Sequence, residues 1–184
     1  KNSALKTSNI EEGFSKLAKY LIKFSKKKDL KFIFVKKFNK IKKSHTIDDM
    51  DFYKNFLDQS EIDYLNSNTY QELGTFSSYM GVFQSKVAVG TQSTLLREKI
   101  GCGQKILSVD LTNKEIWNFP AEGICTLNNC TYNEFEERLS HILKIDNRDY
   151  FRKISKNKSF LMNFDENNSA ISKINSKINS LLND

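Results

Sequence analysis

The segment 86–109, KVAVGTQSTLLREKIGCGQKILSV, restricts the fold of this chain more than any other. Lys86–Gly90 reads as a short apolar strand with Val-Ala-Val at its centre, and Gly90–Thr94 as a turn. Leu95–Ile100 reads as a helix closed by Gly101 as a left-handed cap. Lys105–Val109 is the next strand. Two strands joined through a helix in so little chain run parallel, with a right-handed crossover.

The flanking sequence continues this alternation. Ser8–Lys27 has capping-box spacing at Ser8 and Glu11, and Phe14, Leu17, Ala18, Leu21 and Ile22 recur at a helical period. Leu30–Val35 is a continuous apolar run expected to be a buried parallel strand. Ile47–Leu57, Glu61–Leu65 and Tyr70–Phe83 are expected to be helical, the last bringing Tyr79, Val82 and Phe83 against the sheet. Gly123–Leu127 reads as a further strand. Thr131 and Glu134 form a second capping box, opening a helix with Phe135, Leu139, Ile142 and Leu143 inward. Asn147–Ser155 and Asn167–Leu182 read as helices, the latter with Ile171, Ile174, Ile178 and Leu181 on one stripe. The fold class is therefore α/β with a mostly parallel sheet and a helical extension over 147–184, in one domain spanning 1–184. Ligands of such sheets bind beyond the carboxyl ends of the strands.

A chain of 184 residues can bury a core without disulfide or metal support. It holds no apolar run long enough for a transmembrane helix and no secretory signal, which points to a cytoplasmic protein. It begins at Lys1, and we expect it to be part of a longer chain. The formal charge is +7, with lysines concentrated at Lys16–Lys43 and Lys144–Lys158. That bias suits either an anionic partner or a solvated lysine-rich surface. Cys102, Cys125 and Cys130 contain no Cys-x-x-Cys pair, so no metal site is expected. Cys102 and Cys125 lie in apolar contexts and read as small core residues.

The chemistry concentrates at Gly90, Thr91, Gln92, Ser93 and Thr94. Amides at a helix start, with the helix dipole, attract an anion, and the Ser93 and Thr94 hydroxyls add donors. Gly90 would let a ligand approach the backbone closely. Ser or Thr at this place can equally be a simple N-cap. The turn is neither a P-loop nor the dinucleotide Gly-x-Gly-x-x-Gly. Glu98, one helical turn on, can accept from a ribose hydroxyl or from backbone groups near the site, or pair on the surface with Arg97, Lys99 or Lys105. Arg97 is either a phosphate ligand or a surface residue.

The run VAVGTQSTLLREKIG followed by KILSVDLT resembles the C-terminal domain of bacterial surface-carbohydrate biosynthesis proteins, the GT-B-type glycosyltransferases of capsule and lipopolysaccharide assembly. Residues 119–127, 132–139 and 160–165 are similar to the same group, so the resemblance covers about Ser85–Asp165. It implies a Rossmann-like three-layer domain that forms the C-terminal half of a GT-B fold. That domain would bind a nucleotide-activated sugar, with no separate cofactor, while a missing N-terminal domain takes the acceptor. Ser93 and Thr94 match the donor-phosphate positions and Glu98 the acidic residue on the following helix. More distant Kdo and sialic acid transferases of this architecture imply a CMP-linked donor.

The chain departs from that pattern where many CMP-sugar enzymes carry His-Pro: it has Lys36 and Lys37, and its single proline is Pro120. Lys36 could pair with phosphate as a point charge or be solvated. His45 falls in a loop, and His141 on a helix surface or rim. Trp117, Phe119 and Pro120, ahead of Glu122, wall a pocket or pack a loop. No nucleic-acid-binding signature accompanies the lysines, and Phe32 and Phe34 read as core. Peripheral contact with the inner membrane face is permitted by the basic patches. The competing function is a non-catalytic interaction domain whose basic first helix docks a protein or an anionic membrane.

Overall fold

The computed structural model describes residues 9–36, 49–70, 77–155, 176 and 178–180. Ser8, Lys37, His45 and most of the last expected helix lie outside these residues.

Helix α1, Asn9–Lys28, has Glu11 and Glu12 in its first turn and Lys26, Lys27 and Lys28 in its last, matching charge to the helix dipole at both ends. Its apolar stripe splits between two cores. Leu17 and Phe24 join the cluster around the sheet, whereas Ala18 and Ile22 join a second cluster with Met50, Leu57, Ile62 and Leu65. The buried Ser15 and Ser25 hydroxyls donate to the carbonyls of Glu11 and Leu21, so neither is orphaned. At Gly13 an added Cβ would lie 2.9 Å from the Leu111 carbonyl, so only glycine permits this approach of helix to loop.

The second cluster is built by α2, Asp49–Tyr53, and α3, Gln59–Ser67. Asp58 caps α3 in a full capping box with Glu61, a sequence signal that moves the helix start ahead of the expected Glu61. The expected buried strand over Leu30–Val35 is absent. The segment makes an isolated parallel bridge from Phe34 to Thr69, and Leu30 is exposed. Phe32 stacks on Tyr64, and Phe34 meets Tyr53 edge-on, so both rings pack half-buried against the second cluster. An apolar run becomes a strand only where a neighbour offers a ladder, and here the partner is a single residue beyond α3.

Helix α4 spans Ser77–Gln84, and the sheet follows at once. Strand β1 is Ala88–Gly90, helix α5 Thr94–Gly101, and strand β2 Ile106–Asp110. Parallel pairing sets Ala88 against Ile106 and Gly90 against Ser108. Helix α5 ends in a Schellman motif: the Gly103 amide donates to Ile100 and the Gln104 amide to Lys99. The left-handed residue is Gly103, at φ 74°, rather than the expected Gly101, which stays helical. Cys102, expected in the core, is exposed in this cap, while Cys125 and Cys130 are buried.

A 3-10 turn, Glu115–Trp117, leads to β3, Glu122–Gly123, and β4, Thr126–Asn128. The single strand expected over Gly123–Leu127 is thus two. Gly123, at φ 106°, turns the chain, and β4 pairs parallel to β2 in a three-stranded sheet of order β1-β2-β4. Arg138 Nη1 donates to the carbonyls of Gly123, Ile124 and Thr126 and holds that bend. Helix α6, Tyr132–Lys144, starts at the expected Thr131–Glu134 box and buries Phe135, Leu139 and Ile142. Helix α7, Asn147–Arg152, is capped by Asp146. It ends before the expected Ser155, because Ile154–Ser155 forms β5, antiparallel to β3. Tyr150, fully buried, donates its hydroxyl to the Ile106 carbonyl at 2.7 Å and accepts from the Ile106 amide at 3.1 Å. Residues 176 and 178–180 are helical, with Ile178 exposed. Every residue of β2 is buried, so the core centres on this strand, in the expected Rossmann-like α/β arrangement of helices around a parallel sheet.

Candidate functional site

The β1–α5 turn lies at the carboxyl ends of β1 and β2. The Thr91 hydroxyl donates to the Val109 carbonyl at 2.9 Å, tying the turn to the neighbouring strand. That hydroxyl hydrogen is committed, so a contact from Thr91 to an anion would come from its backbone amide. Ser93 occupies the N-cap of α5 in extended conformation, and its side chain makes no capping hydrogen bond. Its carbonyl accepts from the Leu96 and Arg97 amides, so the helix is properly nucleated. The earlier amides, through Leu95, have no intrahelical acceptor by helix geometry. The hydroxyls of Ser93 and Thr94 therefore stand beside main-chain donors at the positive end of the helix dipole. A Cβ added at Gly90 would meet Leu96 Cδ1 at 3.6 Å, an ordinary contact, and its φ is not in the left-handed region.

Gln92 links this turn to two other elements. With its amide oriented to satisfy both ends, its nitrogen donates to the Ile116 carbonyl at 2.7 Å and its oxygen accepts from Arg97 Nη2 at 3.1 Å. Arg97 is thereby held back towards the start of its own helix, and the 3-10 turn is fastened over it. Ile116 is 76% exposed on that turn, while Trp117 meets Phe14 of α1 edge-on with its indole N–H buried and unpartnered. Phe119 is buried in the core and Pro120 half-buried, so of the three expected wall residues Phe119 packs the loop. At the end of β2, the buried Asp110 carboxylate accepts from the Thr112 amide and hydroxyl, at 2.8 and 2.7 Å, and fixes the following bend.

Of the contacts weighed for Glu98 from sequence, the ion pair with Arg97, Lys99 or Lys105 is not formed. The Glu98 carboxylate accepts from the Tyr79 hydroxyl at 3.2 Å, which raises the Tyr79 pKa. Tyr79, expected against the sheet, is 41% exposed and stacks on Phe83 one turn along α4. Sequence reading missed it because its partner is on a different helix.

The lysines offered as partners for Glu98 are buried elsewhere. Lys99 Nζ donates to the carbonyls of Val82 and Ser85 and to Gln104 Oε1, at 2.7–2.8 Å. Burial lowers its pKa to about 8. Lys105 Nζ donates to the Ile142 and Ile145 carbonyls, and burial lowers its pKa as well. Each ammonium closes the carbonyl end of a helix, α4 and α6 respectively.

Lys36 follows the Phe34 bridge, and its carbonyl accepts from the Ser78 hydroxyl at the start of α4. The structure thus sets Gly90, Thr91, Gln92, Ser93 and Thr94 at one edge, ties Arg97 to them through Gln92, and attaches Glu98 and Lys36 to α4. Glu122 is exposed on β3, and His141 is exposed on α6. Among the described residues, no cluster of His, Cys, Asp or Glu suits a metal ion, and no helix is long and apolar enough to cross a membrane.

No curated protein and no solved structure matches the chain. A family model described as "putative O-antigen biosynthesis protein" matches residues 11–179, which takes in both cores, the β1–α5 turn and all three strands of the parallel sheet. On that match, the chain belongs to this O-antigen biosynthesis family, and its place is in surface-carbohydrate assembly.

Proposed function

We propose that the chain is the nucleotide-sugar-binding domain of a glycosyltransferase in surface-polysaccharide biosynthesis, the donor half of a GT-B arrangement. The observation that carries this is Ser93: it stands at an N-cap and does not cap. A serine there ordinarily satisfies one of the first-turn amides, a contact typically worth about 1 kcal/mol. Here its hydroxyl and the amides of the turn share the carboxyl edge of a parallel sheet, where α/β folds take ligands. The donor diphosphate or monophosphate sits on Ser93, Thr94 and the α5 amides. Arg97, steered by Gln92, adds charge, and Glu98, steadied by Tyr79, accepts from a ribose hydroxyl. In transfer, these donors stabilise the negative charge that builds on the leaving phosphate. The acceptor and the general base belong to a further domain.

The test is a thermal-shift titration with CMP, CDP, UDP, GDP and ADP at fixed salt, repeated on Ser93→Ala/Thr94→Ala. A nucleotide that binds the folded chain stabilises it by about 2.7 kcal/mol at a hundred times its Kd. We expect one base to raise Tm and the double variant to lose that response at unchanged intrinsic stability. No shift from any nucleotide at millimolar concentration overturns the reading.

A further inference from the structure

Helix α1 carries on its outer face a feature that a nucleotide site does not use. Lys16, Lys19, Lys23 and Lys26 are all exposed and recur at intervals of three, four and three residues, which aligns them on one side of the helix. At 1.5 Å per residue the row is about 15 Å long. Among the described residues none of the four is in an ion pair. Two carboxylates on the neighbouring helices are otherwise engaged. Glu136 on α6 binds Lys27 and Lys28, and Asp58, which feels Lys19, caps α3. Glu12 marks one end of the row and Asp29 the other.

Three of these ammonium groups are propped on aromatic rings. Lys16 lies over Tyr20 at 5.8 Å, Lys23 over Tyr132 of α6 at 4.0 Å, and Lys26 over Tyr64 of α3 at 4.7 Å from the ring centroid. The charges are thus strung along α1 and over rings of its two neighbours, α6 and α3. A small anion would need convergent donors, whereas this row extends over about 15 Å of helix. A single-stranded nucleic acid would need open aromatic faces for its bases, and here the rings lie beneath lysines.

We infer that this face docks on an anionic lipid bilayer, to which the lysine row is complementary in charge. The attraction is electrostatic, with each lysine near the surface strengthening it about fivefold, and it fades as salt shortens the Debye length. Because Gly13 presses α1 onto the Leu111–Thr112 loop, the row starts one turn from the carboxyl edge of the sheet. A docked chain holds that edge close beside the membrane.

The experiment is co-sedimentation of the chain with vesicles of phosphatidylcholine alone and of phosphatidylcholine mixed equally with phosphatidylglycerol, at low and high salt. Wild type is compared with a variant in which Lys16, Lys19, Lys23 and Lys26 are all glutamine. A control removes the same charge from the exposed Lys86, Lys114, Lys144 and Lys153. We expect binding to the anionic vesicles only, reduced by salt. The row variant should lose roughly 10²–10³-fold, and the control far less. A lysine-to-arginine version of the row, which keeps the charge, should bind, and circular dichroism confirms that each variant is folded. Equal losses in row and control variants, no binding of wild type to anionic vesicles at low salt, or displacement from the vesicles by single-stranded RNA at equal charge would overturn the inference.

Discussion

The two ends of the parallel sheet are finished in opposite ways. At the amino ends of β1 and β2, backbone carbonyls converge, and Lys99 and Lys105 fill the gaps with buried ammonium groups. At the carboxyl ends, the α5 amides converge with the Ser93 hydroxyl, and the N-cap side chain leaves them alone. Helix α5 contributes to both ends: its last turn supplies Lys99, and its first turn supplies the donors. The difference teaches that the chain brings its own cations to its negative pole, while at its positive pole the N-cap side chain makes no capping hydrogen bond. The first arrangement serves folding, and the second, on the function proposed above, serves binding.

If this contrast is right, the heaviest stability losses belong to the amino end. Lys99→Met should cost roughly 3 kcal/mol, since it strands buried acceptors at about 1–3 kcal/mol each, and urea denaturation would read it. A loss below about 0.5 kcal/mol, the range of a neutral surface change, would break the comparison. The same residue gives a pH signature. Its folded pKa of about 8 lies below the 10.5 of a free lysine. Below pH 8 both states hold the proton and the burial cost is complete; between about 8 and 10.5 the unfolded chain holds more of it. Wild type should therefore gain stability relative to Lys99→Met as pH rises through that window. Taking the difference cancels Cys125 and Tyr150, whose raised pKa values work in the opposite direction. A difference that shrinks or stays flat would remove the charge from the account.

Gly13→Ala comes next. Helix propensity alone would favour alanine by up to about 1 kcal/mol. The contact with the Leu111 carbonyl opposes it, and overpacking of this kind typically costs about 1–3 kcal/mol, so we expect a net loss in thermal denaturation. The smallest effects belong to the carboxyl end. Ser93→Ala should stay within about 0.5 kcal/mol of wild type, where a true cap would lose about 1. Gly90→Ala, with ordinary contact room at Leu96, should also be near neutral. Scanning calorimetry of both variants sharpens the contrast, because a large loss at Ser93 would make it a structural cap after all.

What could be read from the sequence follows from how local the physics is. The Thr131–Glu134 box and the β1–α5–β2 unit were legible, because their determinants sit within a few residues of each other. Leu30–Val35 was not, because a strand needs a partner and the available one is Thr69 alone. At the candidate site, the residues of the turn were legible and their partners were not. Gln92 reaches Ile116, Glu98 receives Tyr79, and Lys99 turns away to α4, all over separations that no short motif records. Cys102 misled because its neighbours in sequence are apolar while its place in the cap faces outward.

The paired hydrogen bonds of Tyr150 have a bearing on strand alignment. Its hydroxyl takes up both main-chain groups of Ile106, the first residue of β2. The ladder on the β4 side starts two residues later, at Ser108 opposite Thr126. The phenol thus acts as an end-stop: β4 cannot slide toward the start of β2 without evicting a fully buried ring. A slip of one residue would turn every side chain of β4 to the wrong face. One aromatic side chain from a distant helix thereby fixes the zero point from which that side of the sheet is counted.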